Sequence, residues 1–155
     1  MQLTLYTDYS LRVLIYLGAH PDKQATITEV AQCYKVSRNH LVKVVNNLAN
    51  LGYIHTVRGR GGGMLLAHKP EQINIGEVVS RTEPNFHLVE CFDAPNNTCP
   101  IAPCCALIDG LGRAQQAFLD VLNAITLADV VANRDELASR LHAVTFSPPL
   151  NSSAE

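Results

Sequence analysis

Four of the chain's five cysteines, Cys91, Cys99, Cys104 and Cys105, fall within fifteen residues that also hold Pro95, Pro100 and Pro103. Each proline fixes φ and removes a backbone donor, so this stretch cannot be the interior of a helix or strand. It is read as a loop that turns several thiolates toward one point, a soft donor set suited to zinc, copper(I) or an iron–sulfur cluster. Seven residues separate Cys91 from Cys99 and five separate Cys99 from Cys105, so the C-x2-C knuckle of structural zinc is missing. Wide gaps suit a larger object: an iron–sulfur cluster offers several metal corners, and its loop must wrap around it. Zinc binding and a thiol/disulfide redox switch remain as alternatives. If a helix begins near Cys104, successive side chains diverge by about 100°. Cys104 and Cys105 are then not expected to face one cluster, and one of them is a spare.

At 155 residues the chain is long enough for one well-cored domain plus an extension. Asp8 and Arg12 interrupt the first apolar run, so neither a signal-peptide core nor a membrane span is expected. A cytoplasmic location follows, and there thiols stay reduced; an odd cysteine count is in any case a poor disulfide framework. The formal net charge of -2 conceals a division. Between Thr26 and Lys69 stand Lys35, Arg38, Lys43, Arg58, Arg60 and Lys69 against the single acid Glu29, while the remainder is acidic. The cationic stretch is the candidate for a phosphate-backbone partner. No nucleophile with a base and no adjacent carboxylate pair supports an enzyme.

Hydrophobic periodicity gives the fold class: mainly α with a small β-wing, a winged helix-turn-helix domain plus a long dimerisation helix. Thr7 is expected to cap a helix through about Ala19, with Leu11, Leu14, Ile15 and Leu17 inward. A second helix is expected from Thr28 to Tyr34. Ser37 is expected to cap a third, Arg38 to Leu51, whose Leu41, Val44, Val45 and Leu48 recur at helical spacing and which stops at Gly52. Two short helices joined by Lys35-Val36 read as helix-turn-helix. The period then becomes strand-like: Tyr53–Val57 and Met64–Ala67 flank Arg58-Gly59-Arg60-Gly61-Gly62-Gly63, a β-hairpin wing with arginines at its tip. It is not a P-loop, because no Lys-Ser/Thr follows and no helix opens afterwards. A short helix is expected from Asn74 to Thr82.

From Leu107, the apolar residues Leu111, Ala114, Phe118, Val121 and Ile125 follow at steps of four and three, the seam of helices paired along their length. Gly110 and Gly112 weaken that helix by roughly 1 kcal/mol each, so association as a homodimer is expected. Thr126 and Asp129 make a capping-box pair for a last helix toward His142. The organisation expected is a DNA-binding domain over 1–83, a cysteine-rich cluster-binding loop over 84–105, dimerisation helices over 106–146 and a disordered tail over 147–155.

A recognition helix enters the major groove by its N-terminal residues, here Ser37, Arg38, Asn39, His40 and, one turn later, Lys43. Arg38 and Asn39 have the bidentate geometry for base edges, whereas Ser37, His40 and Lys43 suit phosphate. Arg58 and Arg60 suit a narrow minor groove. A dimer of such modules should bind double-stranded DNA at an imperfect palindromic operator with half-sites roughly 10–11 base pairs apart. The lone Cys33, far from the other four, is read as structural.

Thr7-Asp8-Tyr9-Ser10-Leu11-Arg12, Val36-Ser37-Arg38-Asn39-His40-Leu41-Val42-Lys43, Val57-Arg58-Gly59-Arg60-Gly61-Gly62-Gly63, the cysteine loop and Thr126-Leu127-Ala128-Asp129 together resemble the NsrR-type nitric-oxide-sensing repressors. These belong to a winged-helix family that also includes the iron–sulfur regulator IscR, and the likeness covers nearly the whole chain. It implies a dimeric transcription factor in which Cys91, Cys99 and Cys105 bind an iron–sulfur cluster, 4Fe-4S with 2Fe-2S as the alternative. Cys104 is then the extra thiol and an alternative ligand. In NsrR-like proteins the fourth ligand can be an aspartate of the partner subunit, which maps onto Asp8, with Arg12 nearby as support. IscR-like proteins use a histidine shortly after the third cysteine, and this chain has none there; the first cysteine gap is also wide for the family. The implied function is repression that ends when nitric oxide nitrosylates or removes the cluster.

Overall fold

The structure, a computed structural model, describes residues 2–57, 59 and 61–145. Helix α1 (Leu5–Ala19) is the centre of the fold, packed against helices from both halves of the chain. It starts one turn before the expected place. Thr4, not Thr7, is its N-cap, accepting from the Thr7 amide at 3.3 Å. Thr7 is fully buried, because its hydroxyl is taken by Glu83 from across the fold. Val13, Leu14 and Leu17 are buried in the core, with Leu11 and Ile15 partly buried beside it. Each fully buried side chain of this kind contributes roughly 1.5–3 kcal/mol.

Helix α2 (Ile27–Tyr34) begins at a capping box: Thr26 accepts from the Glu29 amide at 3.1 Å, and the Glu29 carboxylate accepts from the Thr26 amide at 2.6 Å. Lys35 ends it in the left-handed region, with φ 53°. Helix α3 (Arg38–Asn50) follows with Ser37 at its N-cap, but the Ser37 side chain makes no capping hydrogen bond, so that part of the expectation is corrected. Leu41, Val44, Val45 and Leu48 are all buried. Gly52 stops the helix at φ 81°, with Tyr53 N donating to Leu48 O and Gly52 N to Ala49 O in a Schellman motif.

Strands β1 (Ile54–Val57) and β2 (Gly63–Leu66) form the antiparallel wing in the register Ile54↔Leu66 to Val57↔Gly63. Its base is anchored to the approach to α2 by a backbone bridge, Met64 N to Ala25 O at 2.8 Å and Ala25 N to Met64 O at 3.1 Å. Helix α4 (Ile75–Thr82) is capped by Asn74, whose Oδ1 accepts from Glu77 N at 2.9 Å. Between α4 and the long α5 (Leu107–Asn123) lie three short 3-10 turns, Glu90–Phe92, Ala94–Asn96 and Ala102–Cys104.

Helix α5 has no buried residue, and Leu107 and Val121 are 64% and 62% exposed. The seam residue Ile125 lies past its end, where its carbonyl accepts from Ile75 N at 2.9 Å. The single last helix expected from the sequence is two, α6 (Leu127–Val130) and α7 (Arg134–Thr145). Both fold back on the DNA-binding core instead of continuing along α5: Leu127 and Val131 are buried under α1, and α7 packs on α1 and α2. Burying those two apolar side chains outweighs prolonging an exposed helix. The tail expected over 147–155 lies outside the described residues. Among the described residues, no helix is long and apolar enough to cross a membrane.

The end of α5 is fastened to α4. Asn74 Nδ2 donates to Asn123 O at 2.6 Å, and a Cβ added to Gly76 would lie 2.7 Å from the Asn123 backbone nitrogen. The Asn123 side chain stands closer still and can turn aside, but its backbone nitrogen cannot, so relief requires separating the two helices. Gly76→Ala should lower the stability of the protein by about 1–3 kcal/mol, read as a fall in the thermal unfolding midpoint.

Candidate DNA-binding face and cysteine cavity

The cysteine loop is closed by side chains that carry no cluster chemistry of their own. The Glu90 carboxylate accepts from both the amide and the hydroxyl of Thr98, at 2.5 and 2.6 Å. These bonds, the hydroxyl first, hold its carboxyl below the usual carboxylate range. Glu90 precedes Cys91 and Thr98 precedes Cys99, so one clasp loops out the residues between them and leaves both cysteines on the wall of one cavity. Asn97 Oδ1 accepts from Cys99 N at 3.0 Å, and Asp93 accepts from Asn96 Nδ2 at 2.8 Å, which shapes the excluded arc.

Cys91, Cys99 and Cys105 line one cavity of about 220 Å³, whose other walls include Val89, Ile101, Leu107, Ile108 and Leu111. Cys104 is not among its walls. It is exposed, and its thiol lies 3.4 Å from Ile101 O. The two neighbours part because the chain leaves the 3-10 turn Ala102–Cys104 for an extended Cys105, not because a helix starts at Cys104; α5 begins only at Leu107. Among the described residues, no three His, Cys, Asp or Glu side chains converge closely enough for a single metal ion. Three thiols on one largely apolar wall are a soft donor set that an iron–sulfur cluster would fit.

Asp8 does not line this cavity. It sits in the first turn of α1, where Arg12 takes both carboxylate oxygens, Nη2 to Oδ2 at 2.9 Å and Nε to Oδ1 at 3.1 Å. The Arg12 guanidinium also lies 5.9 Å from the Tyr9 ring and 5.6 Å from the Tyr34 ring. Tyr34 ends α2, and burial pushes its phenol up.

Ser37, Arg38, Asn39, His40 and Lys43 are all exposed at the start of α3. Three of them line two separate recesses. Arg38 shares a cavity of about 280 Å³ with Thr28, Thr56, Gly59 and Gly62, between α2 and the wing. His40 and Lys43 face α1, where His40 stacks on Tyr9 with ring centroids 6.4 Å apart. Arg58 and Arg60 lie outside the described residues. Among the described residues, Arg38 thus lies on the wing side of α3 and Lys43 on its α1 side, both open to contact with a polyanion.

A winged helix-turn-helix followed by a looped cysteine cavity is the architecture against which known proteins can be compared. The profile of a family described as "Rrf2: Iron-dependent Transcriptional regulator" matches residues 3–133. The chain belongs to the Rrf2 family. Within it, the HTH-type transcriptional regulator NsrR of Bacillus subtilis (strain 168) is 51% identical over 142 residues, 91% of this chain and 97% of that protein. The regulator of the same name from Shouchella clausii (strain KSM-K16) is 50% identical over 146 residues, 94% and 98% of the two chains. The solved structure of T. potens IscR shares the fold, with a TM-score of 0.70 at 20% identity over 88% of this chain and 90% of that one. These relatives are transcriptional regulators, and this Rrf2 chain is a DNA-binding transcriptional regulator, not an enzyme.

Sequence reasoning missed two groups in this Rrf2 protein. The Glu90–Thr98 clasp carries a weak signal, since an acid and a threonine flank the first cysteine gap, but nothing in one sequence pairs them. Glu83, which binds Thr4 and Thr7, gives no signal at all. Cys33 is structural as expected: its thiol donates to Leu141 O at 3.1 Å, and burial pushes its pKa up, which keeps it protonated.

Proposed function

We propose that this protein is an NsrR-type repressor, a homodimer whose grip on a palindromic operator depends on an iron–sulfur cluster and responds to nitric oxide. The observation that carries the reading is the cavity walled by Cys91, Cys99 and Cys105 with Cys104 outside it. These three thiolates would hold the cluster, 4Fe-4S by preference, and Val89, Ile101, Leu107, Ile108 and Leu111 would limit water around it. When bound, the cluster supplies iron at which nitric oxide reacts. Asp8 is the proposed fourth ligand, given to the partner subunit's cluster, and Arg12 is the residue that holds its carboxylate in the absence of that bond.

The exposed seam of α5, with Leu107, Ala114 and Val121 outward, supports pairing of two chains. Two recognition helices held at a fixed separation gain from bivalent binding, and an altered cysteine loop changes that separation. In each half-site Arg38 and Asn39 read bases, Ser37, His40 and Lys43 meet phosphate, and Arg58 and Arg60 enter the minor groove. Arg38→Ala should weaken operator binding by about 1–3 kcal/mol, measured by fluorescence anisotropy at fixed salt.

The direct test is anaerobic purification with visible spectroscopy and iron and sulfide analysis. Brown protein whose broad absorbance collapses on adding nitric oxide is expected. Colourless protein with stoichiometric zinc, or with a reversible disulfide in place of metal, would overturn the reading.

A further inference from the structure

We infer that Glu83 is a positioning residue that ties the root of the cysteine loop to the turn of α1 presenting Asp8, so that the two shift together. The inference rests on the cluster reading above for its functional consequence, but the tie itself rests on geometry alone. Glu83 is the residue on which α4 ends and from which the chain sets out toward the cysteines. Its carboxylate reaches back to the start of the protein, accepting from Thr4 N at 3.2 Å, from Thr4 Oγ1 at 3.0 Å and from the hydroxyl of Thr7. The same Thr4 offers its carbonyl to the amide of Asp8 at 3.0 Å. One turn of α1 is therefore held by Glu83 on one side and displays Asp8 on the other.

A helix N-terminus leaves amide donors unsatisfied, and a local side chain normally serves them. Here Thr4 provides that local cap, and a carboxylate 79 residues away adds a second, charge-assisted one. The second cap forms only while the loop root lies against α1. Beyond Glu83, Phe86 packs against the core, and Glu83 with residues Asn85 to Leu88 borders a cavity of about 180 Å³ shared with Gln2 and Leu3. Glu83 thus adds a polar tie at the point where the loop sets out. From α1 the path continues to DNA, since Tyr6 and Tyr9 pack beside His40 and Lys43 of α3.

Glu83→Ala and Glu83→Gln test the tie, together with Thr7→Val and its conservative counterpart Thr7→Ser. In cluster-free protein, amides over residues 84–90 of Glu83→Ala should exchange about tenfold faster than in the parent, since a charge-assisted bond network is lost. In cluster-loaded protein, iron and sulfide content should be retained while operator affinity falls about tenfold toward the cluster-free level. Affinity of the cluster-free form should not change. Glu83→Gln and Thr7→Val should show the same pattern more weakly, and Thr7→Ser should match the parent. Unchanged exchange would overturn the inference, and so would an equal loss of affinity in both forms, which marks a general folding defect. A parent protein without iron and sulfide would instead overturn the cluster reading, while faster exchange would still establish the tie.

Discussion

Cys91→Ser, Cys99→Ser and Cys105→Ser should each abolish the visible absorbance of anaerobically prepared protein and its bound iron and acid-labile sulfide, whereas Cys104→Ser should keep all three. A serine hydroxyl is a hard, weakly acidic oxygen that replaces a soft thiolate poorly on iron. Three of the four loop thiols line one cavity, so removing any of these leaves a corner of the cluster without protein. Cys104 is exposed beside Ile101 O and could substitute for Cys105 only if the 3-10 turn before it rotated. Retention of the cluster in Cys105→Ser with loss in Cys104→Ser would reverse the assignment. The substitutions should leave thermal unfolding of the cluster-free protein nearly unchanged, because none of these cysteines is in the buried core.

The second large effect should come from the seam of α5. Val121→Asp places a carboxylate where pairing would bury it, and an unpaired buried charge costs several kcal/mol. In the single chain Val121 is 62% exposed, so the monomer should fold as before. Sedimentation should then show monomer, against a dimer expected for the parent. Operator affinity should drop by at least about a hundredfold, as the second half-site is no longer tethered to the first. A variant that stays dimeric would place the interface elsewhere on the molecule.

Local signals read well in this chain because their physics is local. The Thr26–Glu29 and Thr126–Asp129 capping boxes, the Gly52 stop and the switch from helical to strand spacing at Tyr53 each depend on residues within a few positions of one another. The α3 core residues followed directly from their spacing. What escaped depended on contacts formed after folding. Thr7 looked like a cap but is consumed by Glu83, and Thr4 takes its place one turn earlier. One last helix is expected after Thr126 and two are found, and Leu127 and Val131 reach the core under α1, a destination no periodicity encodes. In the site, the cysteine spacing pointed to a wrapped object, and the resemblance named the three thiols. That the wide first gap is drawn shut by Glu90 and Thr98 belongs to loop geometry alone.

The measurement that bears most directly on the whole account is operator binding by anaerobic fluorescence anisotropy, on one preparation divided into cluster-loaded, nitric-oxide-treated and cluster-stripped portions at the same salt. The loaded portion should bind a palindromic site tightly, and the other two at least about a hundredfold more weakly. Equal affinity in all three portions would contradict control of DNA binding through the cysteine cavity.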